Sequence, residues 1–167
     1  PRFERTVIYM CAHSTAGAMG LVINRLAEHV TFSELLKQLG VDAPHVDNEI
    51  RVHFGGPVEM SRGLVLHSAD YSQDVTMMVD GRMALTASMD VLRAIAAGEG
   101  PSRSLLALGS AGWGPGQLER EIQANGWLNV TADLDFVFDG DLDMKWRRSI
   151  EMIGIDVDRL SGDAGHA

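Results

Sequence analysis

The chain predicts an α+β fold built on one mixed, largely antiparallel sheet system. Three observations carry the prediction. β-Branched and aromatic segments come in runs, single amphipathic helices interrupt those runs, and no linker long enough to divide the 167 residues into separate domains occurs. A chain of this length supports one hydrophobic core, so a single domain is expected over residues 1–160, with 161–167 as a frayed tail.

The first expected strand is Thr6-Val7-Ile8-Tyr9-Met10-Cys11-Ala12-His13. Neither of its alternating faces is polar, which predicts a central strand buried on both sides. After a break at Ser14 to Gly17, the segment Met19 to Asn24 repeats the pattern, and the short connection favours antiparallel pairing. A helix follows. Thr31 and Glu34 form an S/T-x-x-E capping box, Phe32, Leu35, Leu36 and Leu39 recur at helical spacing, and Gly40 is the stop.

Val41 to Glu49 reads as a loop; Arg51 to Phe54 and Gly63 to Ser68 read as strands separated by Gly55-Gly56-Pro57. Asp80-Gly81 lies between two further strand-like runs and predicts a hairpin with a type I′ turn. Ser88 is the expected N-cap of a helix over 89–97, with Gly98 as its stop. Leu105 to Leu108 is a short expected strand. The glycine-rich run from Gly109 to Gly116 then leads into a helix through Asn125, with Pro115 in its first turn, Gly126 as its stop and Trp127 to Val130 as a further strand. The last of the four expected helices turns Leu142, Trp146, Ile150 and Ile153 inward and Lys145, Arg147, Arg148 and Glu151 outward.

Composition sets bounds on function. With 14 basic against 23 acidic side chains the net charge is −9, which opposes binding to a phosphate backbone, and no helix-turn-helix with a basic recognition helix occurs. Direct contact with nucleic acid is therefore not expected. No apolar run is long enough to suggest a membrane span, and a single Cys without a signal peptide predicts a cytoplasmic protein.

The segments Gly20-Leu21-Val22-Ile23-Asn24-Arg25, Phe54-Gly55-Gly56-Pro57-Val58, Leu64-Val65-Leu66-His67 and Gly109-Ser110-Ala111-Gly112-Trp113-Gly114-Pro115-Gly116-Gln117-Leu118-Glu119 stand in an order and spacing that resembles the bacterial YqgE/AlgH family. The resemblance spans essentially the whole chain. It implies a partly barrel-like sheet flanked by helices, a cytosolic setting, and a transcriptional-regulator label to which no activity is attached. Leu26 stands where the family usually has Pro, and Ser110 where an aromatic is common. The family usually carries an extra apolar strand ahead of the segment matching Pro1-Arg2-Phe3, so an open sheet edge is expected here, able to pair with another strand.

Candidate chemistry is sparse. Cys11 and His13 are two apart on an expected strand and should share a face, as a thiol and its base or as two metal ligands, with His53 or His67 as further partners. The plainer reading makes Cys11 a small core hydrophobe. No paired-ligand spacing anchors a metal, so neither metal nor cofactor is expected. Gly112, Trp113 and Gln117 border a glycine-rich turn that opens a helix, a context for holding an anion or small ligand as well as for a simple tight turn. Gly55, Gly56 and Pro57 mark either a close backbone approach to a ligand or a loop that needs glycine. Asp133, Asp135, Asp139, Asp141 and Asp143 lack the EF-hand order and suit a solvated loop and a helix start.

These features favour a module that binds a small molecule or a protein and regulates indirectly. Its expected binding residues are Asn24, Arg25, Gly55, Gly56, Pro57, His67, Gly112, Trp113 and Gln117. The alternative is a hydrolase or thiol-dependent enzyme using Cys11 with His13 or His53. Substrate, partner and oligomeric state are not specified by the sequence.

Overall fold

The computed structural model describes residues 4–41 and 50–154, whose strands pair as one seven-stranded sheet. The strands are β1 (Ile8–Ser14), β2 (Gly17–Val22), β3 (Val52–Phe54), β4 (Val58–Ser68), β5 (Met77–Met78), β6 (Met83–Thr86) and β7 (Ser104–Trp113). The helices are α1 (Phe32–Gln38), α2 (Met89–Ala96), α3 (Gln117–Gln123), α4 (Leu134–Val137) and α5 (Leu142–Met152). Most of the loop expected at 41–49 and the expected tail 161–167 lie outside the described residues.

The strand order is β1-β2-β7-β4-β6-β5, and β3 also pairs with β7. All pairings are antiparallel except β3 with β7, which aligns Val52 with Leu106 and Phe54 with Leu108 in parallel. The sheet is thus mixed, as expected, but its parallel pair is not the unit expected over 105–130. Trp127 to Val130 forms no strand; the Trp127 side chain bonds to Glu121 instead of its backbone joining a ladder.

Side-chain alternation on the strands separates the cores. Val52, Val65 and Leu106 face α1 and α2, packing on Phe32, Leu36, Val91 and Leu92. Leu64, Leu66, Leu105 and Ala107 face the other way, onto Tyr9, Cys11, Met83, Leu85 and Val137. Tyr9 of β1 and Leu85 of β6 stand near opposite ends of the strand order yet share this core, because the sheet curls into a partial barrel. α4, absent from the sequence-based expectation, starts at Asp133, whose side chain accepts from Phe136 N, and Val137 at its end packs into the curl.

Several local expectations hold with their physical cause. Thr31 Oγ1 accepts from Glu34 N at 3.1 Å, and Gly40 leaves α1 at φ +73°. Gly98 leaves α2 at φ +76°. Others are corrected. Among the described residues β1 stands at the edge of the strand order rather than at its centre; apolar side chains cover both its faces, which is what its sequence recorded. The Asp80-Gly81 turn is not type I′. Neither residue has a positive φ, and Asp80 Oδ1 instead accepts from the N–H groups of Arg82 and Met83. β4 begins at Val58, directly after the glycine pair and Pro57, rather than at Gly63. Pro115 precedes the N-cap of α3, Gly116, rather than occupying its first turn.

β7 does not stop at Leu108 but runs through the glycines to Trp113. Gly109 makes this possible. At φ +79° it breaks the side-chain alternation of β7 opposite the register shift between Val58 and Gly63 of β4, so Ala107 faces the curl whereas Ala111 and Trp113 face the opposite side, onto Leu118 of α3. Gly55 and Gly56 pass so close to this point that an added Cβ would lie 2.2 Å from the Gly109 and Ser110 backbone respectively. The close approach the glycine pair serves is thus to the chain's own central strand.

α5 carries a further correction. Lys145, expected outward, is 1% exposed, and its Nζ donates to the carbonyls of Ile23 at 3.2 Å and Val137 at 2.8 Å. Burial pushes its pKa down to about 8. The ammonium ties the end of β2 to the end of α4, a task no apolar residue performs. Ile153, expected inward, is exposed.

Candidate functional site

The candidate site is a cavity of about 290 Å³ between β1, α3 and the irregular segment leading to α4. Its wall is largely apolar: Thr6 to Met10 line it continuously, facing Trp113, Leu118, Ile122, Trp127 and Phe136. A small volume of this kind with few polar groups suits an apolar guest.

A buttress of hydrogen bonds shapes its rim. Glu121 Oε1 accepts from the indole N–H groups of Trp113 at 3.2 Å and Trp127 at 2.8 Å, while Oε2 accepts from Gln117 Nε2 at 2.8 Å. The two indoles meet edge to face, 5.9 Å between ring centroids. Gln117 Oε1 in turn accepts from Gly114 N at 2.9 Å, closing the turn that opens α3. Burial opposes ionisation of Glu121, but the bonds from Trp127, Gln117 and Trp113 outweigh it and hold the carboxyl below its ordinary value. Trp113 and Gln117 were expected at a site; Glu121 and Trp127 were not. The signal available was spacing: Glu121 follows Gln117 by one helical turn, and the chain reverses at Asn125, φ +61°, to bring Trp127 back.

The other expected binding residues sit elsewhere. Asn24 Oδ1 accepts from Val7 N and its Nδ2 donates to Arg5 O, stapling the chain ahead of β1 to the end of β2. Arg25 donates to Glu4 O, and its carbonyl accepts from Phe54 N. Gly55 and Gly56 are buried in the strand crossing beside Pro57, with Gly55 O accepting from Val22 N. Gly112 lies opposite Met19. His67 is fully buried; its Nδ1 faces the Ser68 carbonyl at 2.8 Å and therefore carries a proton, while Thr86 Oγ1 bridges Nε2 and Thr76 Oγ1 at 2.8 Å from each.

The structure separates Cys11 from the histidines. The β1–β2 register slips by one residue between Met10 and Ala12, so Cys11 faces the curl while His13 opposes Ala18 on the other face. His13 Nε2 pairs with Glu119 Oε1 at 2.6 Å, lowering the pKa of that carboxyl. His53 Nδ1 meets the Leu106 carbonyl at 3.2 Å. The Cys11 thiol donates to Tyr9 O at 3.7 Å, and burial pushes its pKa up to about 12. Iodoacetamide is expected to leave Cys11 unmodified in native protein at pH 8 and to label it fully in urea; mass spectrometry reads both, and fast native labelling would show an accessible thiolate.

The acidic run has a structural role. Asp133 and Asp141 cap α4 and α5, and Asp139 pairs with Arg148. Among the described residues no three His, Cys, Asp or Glu gather as metal ligands, and no helix is long and apolar enough to cross a membrane.

Comparison with known proteins places the chain. The AlgH-like family model matches residues 1–158. A UPF0301 protein of Rhodospirillum rubrum is 52% identical over 167 residues, covering 100% of this chain and 87% of that protein. One from Afipia carboxidovorans is 53% identical over 174 residues, covering 99% and 83%. The solution structure of the AlgH protein from Pseudomonas aeruginosa superposes with a TM-score of 0.80 at 40% identity, over 97% of this chain and 86% of that one. A Corynebacterium diphtheriae protein, at 19% identity and a TM-score of 0.66 over 87% and 76% of the two chains, shares the fold. The resemblance read from the glycine-rich motifs holds, and the chain belongs to the AlgH-like family of UPF0301 proteins.

Proposed function

We propose that this chain is a cytoplasmic binding module whose ligand site is the cavity along β1, and that any regulatory role is exerted through what it holds there. One observation carries the reading: an apolar cavity whose two tryptophans are fixed by a single carboxylate, so that the wall is set before a guest arrives. A net charge of −9 works against regulation by direct DNA contact. The thiol-enzyme alternative has no support from Cys11, protonated among apolar side chains.

The test is a fluorescence titration with the neutral probe N-phenyl-1-naphthylamine. Saturable enhancement is expected, with energy transfer from Trp113 and Trp127. Ile122→Trp, which fills some of the cavity from its α3 wall, should weaken binding at least ~10-fold while leaving the far-UV circular dichroism unchanged. Equal binding to the filled variant, or none to the parent chain, would remove the cavity from consideration.

A further inference from the structure

We propose that the chain holds a second site, apart from the cavity along β1: a polar pocket between the entry to β1, the exit of β2 and α5, which takes a small phosphate ester.

The charge of its lining is the first ground. The pocket has a volume of about 280 Å³, room for a phosphate and a compact organic body, and shares no lining residue with the apolar cavity. Three arginines line it, each from a different part of the chain: Arg5 stands ahead of β1, Arg25 follows β2, and Arg147 lies on α5. Glu4 and Asp143 line it too, so three guanidinium groups against two carboxylates leave the lining positive on a chain of net charge −9. A local reversal of sign concentrates anions where it occurs.

A donor without an acceptor is the second ground. Trp146 is 6% exposed, and among the described residues its indole N–H is the one buried side-chain polar group with no hydrogen-bond partner. Buried N–H groups are paired almost without exception, so this one, on a residue of the pocket wall, calls for an acceptor from outside the fold. The exposed Arg5 guanidinium lies 4.9 Å from the centroid of the same indole ring, and none of the ion pairs among the described residues engages it. The ring face holds the cation while its N–H donors remain available to an oxyanion.

The backbone sets this arrangement before a ligand arrives. Arg5 has φ +52°, a conformation uncommon outside glycine. Asn24 maintains it from both sides, its Nδ2 donating to Arg5 O at 2.9 Å and its Oδ1 accepting from Val7 N at 3.0 Å. Arg25 donates to Glu4 O at 2.8 Å. Asn24 and Arg25, singled out by the sequence, thus build the wall that presents Arg5.

Phosphate fits the donors better than a carboxylate does. The donors arrive from three elements, and a carboxylate offers two oxygens in one plane. A phosphate offers its oxygens in a tetrahedron, to guanidinium forks and the indole N–H together. Glu4 and Asp143 supply acceptors for hydroxyl groups on the organic part.

The experiment is an NMR titration of the isotope-labelled chain with inorganic phosphate at constant ionic strength, with acetate as the planar comparison. The Trp146 indole N–H resonance is identified by its loss in Trp146→Phe. Phosphate is expected to move it downfield saturably while those of Trp113 and Trp127 stay in place, and acetate to bind at least ~10-fold more weakly. Arg5→Gln should weaken phosphate binding at least ~10-fold, with Arg5→Lys recovering only some of the loss because a point charge lacks the fork. Equal affinity for acetate overturns the phosphate assignment. A Trp146 resonance that neither ion moves overturns the site, whether an acceptor within the chain already holds the N–H or no anion binds. So does an Arg5→Gln variant that binds phosphate as the parent does. The apolar cavity stands or falls separately, on the naphthylamine titration.

Discussion

Gly56→Ala and Gly109→Ala are each expected to lower stability by about 3 kcal/mol or more, enough to consume much of the margin of an ordinary domain. Two causes add. Gly109 sits at φ +79° and Gly56 at φ +149°, conformations an L side chain adopts only under strain. The space is also filled: a Cβ on Gly109 would stand 2.3 Å from Gly56 O, and one on Gly56 would stand 2.2 Å from the Ser110 carbonyl carbon. Neither neighbour is a side-chain tip that can swing aside; both are backbone held in the strand crossing. Gly81→Ala is the control, since φ there is not positive and nothing lies within 4 Å of its Cβ position. It should stay within about ±0.5 kcal/mol of the parent. Urea denaturation of the three variants decides, and a mild effect at Gly56 and Gly109 would mean the crossing is looser than described.

The second large effect is on acid stability. His53 on β3 is buried beside β7, and burial pushes its pKa down to about 4, with the Leu106 carbonyl bond opposing the shift and the positive charges of Lys145 and Arg51 adding to it as smaller influences. In the unfolded chain the same imidazole titrates near its ordinary 6.5. Between these values the unfolded state binds the extra proton, so stability is intact above about pH 6.5, falls as pH drops from there to about 4, and levels off below. The expected loss from this residue is about 3 kcal/mol at the low end. His53→Gln, which keeps an N–H for the Leu106 carbonyl, should flatten the slope of unfolding free energy over that window. An unchanged slope would place the acid sensitivity elsewhere.

How much of this was legible in the sequence depended on whether its cause was local. The α1 start was readable because Thr31 and Glu34 settle it between themselves, and the β1–β2 hairpin because both strands are short-range neighbours. The two register shifts were not. Gly109 in isolation reads as a strand breaker, and only the Gly55-Gly56 crossing makes it a strand residue with its parity reversed. Because the slip beside Cys11 was equally invisible, Cys11 and His13 were expected on one face and lie on two. Lys145 belongs to the same class: it shares its helix with Asp143, Arg147 and Arg148, and its partners are the carbonyls of Ile23 and Val137, which carry no side-chain signature. At the site, Trp113 and Gln117 stood out by type and spacing, while the cavity itself is bounded by an edge that pairing alone defines.

The position of β7 has a consequence for how the chain is made. β2, β3 and β4 all rest on it, yet it is the last of the described strands to leave the ribosome. Gly20 must wait for Ala111, its register partner, and at cellular synthesis rates that interval is about 5 to 20 s. Throughout it the β1–β2 hairpin is a nascent ribbon with its β2 edge open and apolar side chains on both faces. Until β7 has left the ribosome, the growing chain stays exposed to mispairing along the edge of β2 that β7 will cover.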